Sequence, residues 1–290
     1  MKAIIAYFTG TNNTKLVVDE YKKSLEKHDI NCQIFNMDNK IFDFDLDNFD
    51  YVFIAYPIHA FNAPKIVLEF ARDLRKCSDK KKLIIIKVSG EYSRLNNGSS
   101  LKLARILKRK NLILNNEYHY LMPYNIIFRH TSEMAFKMFN TMCEIVPLDV
   151  EDIVNNKSVK IKQIFMGRTI SFLFRIEHFG ARYNGKKFKV SEQCNRCFKC
   201  LNNCPRHNIV YENGKFEFKN NCLMCMRCSF NCPKNAIKIG LFNKWKVNGN
   251  YSFQMPKQKE IDHHPNYFKK SYNRYFKIHE GRINKSKVKI

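Results

Sequence analysis

Eight of the eleven cysteines lie between residues 194 and 232, in two runs of one form. The first is Cys194-x2-Cys197-x2-Cys200-x3-Cys204-Pro205, and the second is Cys222-x2-Cys225-x2-Cys228-x3-Cys232-Pro233. Each position in the second run falls 28 residues after its counterpart, so the pattern is an internal repeat. Three thiolates at this spacing can wrap one face of an iron–sulfur cubane, while the turn at Pro carries the fourth away toward a second cluster. The spacing therefore assigns one [4Fe–4S] cluster to Cys194, Cys197, Cys200 and Cys232, and another to Cys222, Cys225, Cys228 and Cys204. A disulfide framework and structural zinc are the alternatives. Disulfides call for an oxidising compartment, and zinc usually takes its four ligands from pairs rather than from four-cysteine runs ending in Pro.

A second kind of chemistry is written near the start. The apolar run Ala3 to Phe8 reads as a buried strand. It is followed by Thr9-Gly10-Thr11-Asn12-Asn13-Thr14 and then by a helical stretch from Lys15 to about Lys27, with Leu16, Val17, Tyr21 and Leu25 on one face. A hydroxyl-rich loop between a strand and a helix N-terminus can hold a phosphate, because backbone N–H groups and the helix dipole face the anion. Ordinary capping is the bland alternative.

The elements that must position this loop follow in alternation. Strands are expected at Cys32–Phe35, Tyr51–Ala55, Leu83–Val88 and Leu112–Leu121, and helices at Pro64–Arg75 and Ser100–Lys110. The alternation predicts an α/β doubly wound parallel sheet with helices on both faces. Ligands of such sheets bind beyond the carboxyl ends of the strands. Three segments occupy those ends: Thr9–Thr14, the run from Tyr56-Pro57-Ile58-His59-Ala60-Phe61-Asn62 to Ala63-Pro64, and Ser89-Gly90-Glu91-Tyr92. Together they offer a phosphate cradle, an apolar slot and backbone donors, which is what flavin mononucleotide (FMN) requires.

These motifs resemble the flavodoxin–ferredoxin fusion family, from residue 1 to about 255. The likeness rests on Tyr7-Phe8 and the Thr9–Thr14 loop, on the Tyr56 to Pro64 segment, and on both cysteine runs. It implies a flavodoxin-like FMN domain over 1–155, a connecting helix and linker over 156–189, a small α+β two-[4Fe–4S] ferredoxin domain over 190–240, and a basic, aromatic-rich tail over 241–290. It also implies electron transfer rather than a defined substrate reaction. One departure is Asn12, where the family pattern has Gly; Asn is among the residues most tolerant of a left-handed backbone. Between the cysteine runs, Ile209–Tyr211, Asn213-Gly214 and Phe216–Phe218 predict a hairpin with a type I′ turn.

Charge is unevenly placed. The chain of 290 residues has a formal net charge of +25, with 22 basic against 17 acidic residues in 1–150 and 29 against 9 thereafter. A basic half calls for an acidic partner. Arg196, Lys199 and Arg227, lying between cluster ligands, are expected on the face that an acidic redox protein approaches. The tail from Leu241 mixes nine aromatics with twelve basic residues. Such interleaving can track single-stranded nucleic acid. No RNA-binding signature accompanies it, so a docked tail and no nucleic-acid partner are expected.

Other signals are weaker. Asp43-x-Asp45-x-Asp47 lacks the Gly and Glu of a calcium loop. His263-His264 reads as a solvated pair, and Cys32, Cys77 and Cys143 as small buried hydrophobes. Residues 160–180 show helical spacing and read as a connecting helix packed on one domain. No stretch is apolar enough to span a bilayer and no secretion signal is evident, so a cytoplasmic protein is expected. The leading reading is an electron-transfer flavo-iron–sulfur protein. A second is a flavin-dependent reductase of a small molecule such as a quinone, fed by the clusters. A third is a nucleic-acid-binding protein with structural clusters. Donor, acceptor and oligomeric state are not legible in the sequence.

Overall fold

The computed structural model describes residues 1–39, 44–162, 169, 172–257 and 266–288. Strands β1 (Lys2–Tyr7), β2 (Asn31–Asn36), β3 (Tyr51–Pro57), β4 (Lys81–Ser89) and β5 (Leu112–Leu121) form one parallel sheet in the order β2-β1-β3-β4-β5. That is the strand order of the flavodoxin-like doubly wound sheet, whose switch point lies between β1 and β3. Its central strands are apolar on both faces. Ala3, Ile5, Phe53, Ile84 and Ile86 enter one core, while Ile4, Ala6, Val52, Ile54 and Ile85 enter the other. The period-2 alternation of side chains makes a continuous apolar run supply both cores. Helices α1 (Asn13–Glu26) and α4 (Ser132–Val154) cover the first face through Val17, Tyr21, Met138 and Ile145. Helices α2 (Lys65–Asp73) and α3 (Leu101–Lys108) cover the second through Val67, Phe70, Leu103 and Leu107. Every strand and helix expected from the pattern over 1–121 is present, within about three residues at its ends.

The cysteine-bearing part follows α5 (Glu177–Gly185). Strand β6 (Phe188–Val190) pairs antiparallel with β9 (Ile237–Ile239), and β7 (Ile209–Glu212) forms a hairpin with β8 (Lys215–Phe218). Asn213 and Gly214 have φ of 50° and 77°, the two left-handed residues that a type I′ turn demands. One short helix carries the third cysteine of each run: Cys200 lies in α6 (Lys199–Asn202) and Cys228 in α7 (Arg227–Phe230). The repeat extends to the backbone. Arg196 and Met224 have φ of 54° and 51°, Phe198 and Met226 of 56° and 60°, and His207 and Asn235 of 47° and 49°.

The C-terminal segment is docked, as its aromatic content predicts. In helix α8 (Asn266–Lys287), Tyr272, Tyr275, Phe276 and Ile283 are buried in the first core. Arg282 donates to Asp149 and to Asp152, and the Tyr92 N–H donates to the Ser271 hydroxyl at 2.8 Å. The segment around 160–180 differs from expectation. Residues 163–168, 170 and 171 lie outside the described ones, as do Asp43, His263 and His264. The helical stretch runs past Gly180 to Gly185, and Phe172, Leu173, Ile176 and Phe179 are 62–76% exposed rather than packed on a core. Ile176 and Phe179 therefore do not anchor a linker. No described helix is long and apolar enough to cross a membrane.

Candidate functional site

A cavity of about 290 Å³ opens at the carboxyl ends of β1, β3, β4 and β5. Thr9, Gly10, Thr11, Asn13 and Thr14 form its first wall. Asn12 takes φ 75°, ψ −13° as the N-cap of α1, the left-handed conformation that the Gly of the family pattern would supply. The first turn of α1 contains no acidic residue, and its N–H groups have no intrahelical acceptor. The Thr14 hydroxyl is buried and has no partner among the described residues. A buried, unpaired donor facing a cavity at a helix N-terminus is an arrangement that an anion completes. Thr11 instead accepts from the Asn125 amide at 3.3 Å, and the Asn13 amide donates to the Pro123 carbonyl at 2.7 Å. These contacts tie the loop to the segment after β5.

Pro57, Ile58, His59, Ala60 and Phe61 form the second wall. His59 and Asn62 exchange backbone hydrogen bonds of 3.0 and 2.8 Å across a turn in which Ala60 and Phe61 have φ of 37° and 62°. Two successive non-Gly residues at positive φ mark a strained turn held by its surroundings. The His59 ring lies close to the backbone of Leu223, on the side of the cysteine-bearing part. Burial, followed by the charge of His178, lowers its pKa to about 4, so it is neutral. Ser89, Gly90 and Glu91 form the third wall, and a Cβ on Gly90 would collide with the Tyr124 ring. Four residues expected at the site do not line the cavity, the first being Asn12, which instead serves as the N-cap of α1. The Tyr56 ring is fully buried in the second core, Asn62 is buried and braces the turn through Ala60, and Tyr92 is engaged by α8.

The sequence reading missed the fourth wall, Met122 to Ile127. The rule that ligands bind beyond the carboxyl ends of strands applies to β5 as well, and it would have found this segment. Ile127 has φ 92°, an outlier for a β-branched residue. It is held by its N–H donating to the Trp245 carbonyl at 2.8 Å. Met224 and Glu177 complete the lining; both come from distant sequence, which no local signal could have placed. Burial raises the Glu177 pKa to about 8, and one of its carboxyl oxygens has no partner among the described residues.

Cys194, Cys197, Cys200 and Cys232 line one small cavity with Val190, Phe198 and Phe216. Cys204 is electrostatically close to Cys222, Cys225 and Cys228. Backbone N–H groups point at four of the sulfurs in two equivalent pairs: Arg196 to Cys194 and Met224 to Cys222 at 3.4 and 3.3 Å, then Asn208 to Cys204 and Ala236 to Cys232 at 3.3 and 3.2 Å. Such donors favour thiolates, whereas burial pushes the free thiols of Cys200, Cys222 and Cys225 up to about 11, 12 and 11. Among the described residues no three potential ligands converge on a single metal ion. Cys32 and Cys77 are buried in the cores, and Cys143 is partly buried.

One expected role is corrected. Arg227 does not face an incoming partner. Its guanidinium donates to the carbonyls of Thr9 at 2.6 Å, Gly10 at 3.4 Å and Asn203 at 3.0 Å, and it pairs with Asp38 at 2.7 Å. Four acceptors around a planar fork hold it between the two halves of the chain. Arg196 and Lys199 are exposed, as expected.

No family model matches the chain, and no curated protein matches it. Solved structures do. A short-chain flavodoxin associated with a non-canonical PDU bacterial microcompartment is 16% identical, with 55% of this chain and 99% of that one covered and a TM-score of 0.37. The two-electron reduced flavodoxin of Megasphaera elsdenii is 15% identical over 50% and 98% of the respective chains, also at a TM-score of 0.37. Flavodoxin 1 of Bacillus cereus is 12% identical over 52% and 98%, again at 0.37. At these values the fold reading rests on the strand order of the chain's own sheet.

Proposed function

We propose that this chain is an electron-transfer protein that holds FMN in the cavity above the sheet and two [4Fe–4S] clusters on the crossed cysteine sets. The observation that carries the reading is the joining of two sites in one body: a phosphate-type loop with the unpaired Thr14 hydroxyl, and a cysteine repeat whose second run contributes Met224 to the same cavity. The residues fit both groups. Thr9–Thr14 would hold the phosphate through first-turn amides and hydroxyls. Ala60, Phe61 and Tyr124 would flank the ring, and the backbone of Ser89–Glu91 would meet its polar edge. FMN, when bound, supplies exchange of one or two electrons, and the clusters supply single-electron exchange.

The chain's own residues do the rest. The Thr9–Thr14 loop binds and orients, the Gly90 and Tyr124 contact closes one side, and neutral His59 buttresses the wall against Leu223. A cavity of about 290 Å³ is at the lower end of the roughly 300–1,000 Å³ common for small-molecule sites. A partner acidic enough to meet the +25 charge completes the reading.

The test is anaerobic purification followed by metal, sulfide and flavin analysis. About eight irons and about one FMN per chain are expected. Zinc in place of iron, or no FMN uptake by the flavin-free protein, would overturn it. Steady turnover of a quinone or nitro compound by the loaded protein would favour the reductase reading.

A further inference from the structure

The two cysteine runs are equivalent in spacing but not in the residues between the ligands. Offset by 28, Asn195 corresponds to Leu223, Arg196 to Met224, Phe198 to Met226 and Lys199 to Arg227. The first run presents polar and basic groups, and Arg196, Cys197 and Lys199 are exposed. The second run presents Leu223, which is 7% exposed and belongs to the second core of the sheet, with Cys225 packed against that core. Met224 lines the cavity. Gly10, in the phosphate-type loop, meets the Cys225 carbonyl so closely that a Cβ there would collide with it. Arg227 closes the contact by binding the Thr9 and Gly10 carbonyls while it pairs with Asp38. The sheet domain thus breaks the symmetry of the repeat.

We propose that the cluster site of Cys222, Cys225, Cys228 and Cys204 is the immediate neighbour of the flavin site, and that Arg227 is a positioning residue that makes FMN affinity depend on occupancy of that cluster site. The inference rests on the FMN and cluster reading given above. The physical reason is that one guanidinium holds both sides: the carbonyls whose peptide units form the phosphate loop, and the loop that carries Cys225. Emptying the second site releases the Cys225 loop, and with it the backing of Gly10. Emptying the first site leaves this contact intact. The first cluster, with exposed Arg196 and Lys199 beside it, is then the external port. Cys194, Cys197, Cys200 and Cys232 would hold a group that supplies single-electron exchange at the protein surface, and Cys222, Cys225, Cys228 and Cys204 one that supplies it beside the flavin site. The acidic redox partner of the proposed function would exchange single electrons at this port.

The experiment uses the full-length chain, purified and reconstituted without oxygen. FMN dissociation constants are measured by fluorescence titration for wild type, Cys204→Ala, Cys232→Ala, Arg227→Met and Arg227→Lys, with iron counted in each and cluster midpoints read by EPR. Cys204→Ala should weaken FMN at least tenfold, and Cys232→Ala by no more than about threefold. Arg227→Met removes charge-assisted hydrogen bonds and should weaken FMN roughly 10- to 100-fold. Arg227→Lys, which keeps the charge but not the fork, should fall between. Removing this cation should also shift one cluster midpoint to a more negative value and leave the other in place, a readout that a merely structural role would not move.

Equal weakening by Cys204→Ala and Cys232→Ala, or unchanged FMN affinity in Arg227→Met, overturns the proposal while the cofactor reading stands. Failure of the wild type to bind FMN overturns both. If Cys204→Ala does not fold, the arginine variants decide the outcome by the same two readouts.

Discussion

Lys87 and Glu117 form a salt bridge of 2.8 Å on adjacent strands β4 and β5, with side chains 0% and 2% exposed. The ammonium also donates to the Asn96 carbonyl at 3.2 Å and the Asn97 carbonyl at 3.4 Å, and Ser100 donates to the carboxylate. Replacing Glu117 by Gln leaves a buried ammonium without its counter-charge. Breaking a buried pair in this way costs about 3–5 kcal/mol, whereas replacing both partners with apolar residues of similar size is often neutral or stabilising. With a urea m-value of about 3 kcal/mol/M, Glu117→Gln should lower the unfolding midpoint by roughly 1–1.7 M. The double variant Lys87→Met/Glu117→Leu should recover most of that loss. The site is affected too. The Asn96 amide donates to the Glu91 carbonyl at 3.1 Å and reaches the Ser89 hydroxyl at 3.4 Å, so Lys87 steadies the third wall of the cavity through Asn96. FMN should therefore bind more weakly in Glu117→Gln. The assay is far-UV circular dichroism in urea under anaerobic conditions, at matched iron content, with an FMN titration beside it. A single variant that loses less than about 1 kcal/mol, or a double variant no more stable than the weaker single one, would refute the assignment of a coupled buried pair.

Asn12→Gly should keep FMN affinity within a few-fold of wild type. Asn12→Val should weaken it about tenfold, because a β-branched residue at φ 75° costs about 1–2 kcal/mol; equal titrations for the two variants would show that the left-handed N-cap does not matter. Glu177 has a folded-state pKa near 8, above its unfolded value, so its protonated form is favoured on folding. The stability it contributes is fully present below about pH 4.5 and is lost as pH rises toward 8. The slope is at most about 1.4 kcal/mol per pH unit, and Glu177→Gln should flatten it in urea midpoints taken from pH 5 to 8. Electron exchange with an acidic ferredoxin or flavodoxin should slow steeply as salt rises, and Arg196→Glu/Lys199→Glu should reduce that dependence without loss of iron; a rate indifferent to salt would remove the case for steering.

Much of this protein is legible in the chain alone, because local spacing carries it. Continuous apolar runs alternating with helical stretches point to a parallel sheet covered on both faces, which buries strands such as Ile4–Ala6 and Leu83–Ile86 on both sides. The repeated cysteine spacing determines two equivalent loops, down to the left-handed residues that come 28 apart. Asn213-Gly214 determines its turn, because both residues must accept positive φ. Other features could be decided only by the folded chain. Arg227 reads as a surface cation until the sheet domain brings Thr9, Gly10 and Asp38 around it. Met224 and Glu177 reach the cavity from segments far from the first three loops, and α8 enters the first core beside residues more than a hundred positions away. These contacts depend on which surfaces meet, and long-range meetings leave no periodic trace in the sequence. For the same reason the two cysteine runs, alike in spacing, become unlike in the fold: Leu223 and Met224 are buried against the sheet domain or line its cavity, while Asn195 and Arg196 remain in water.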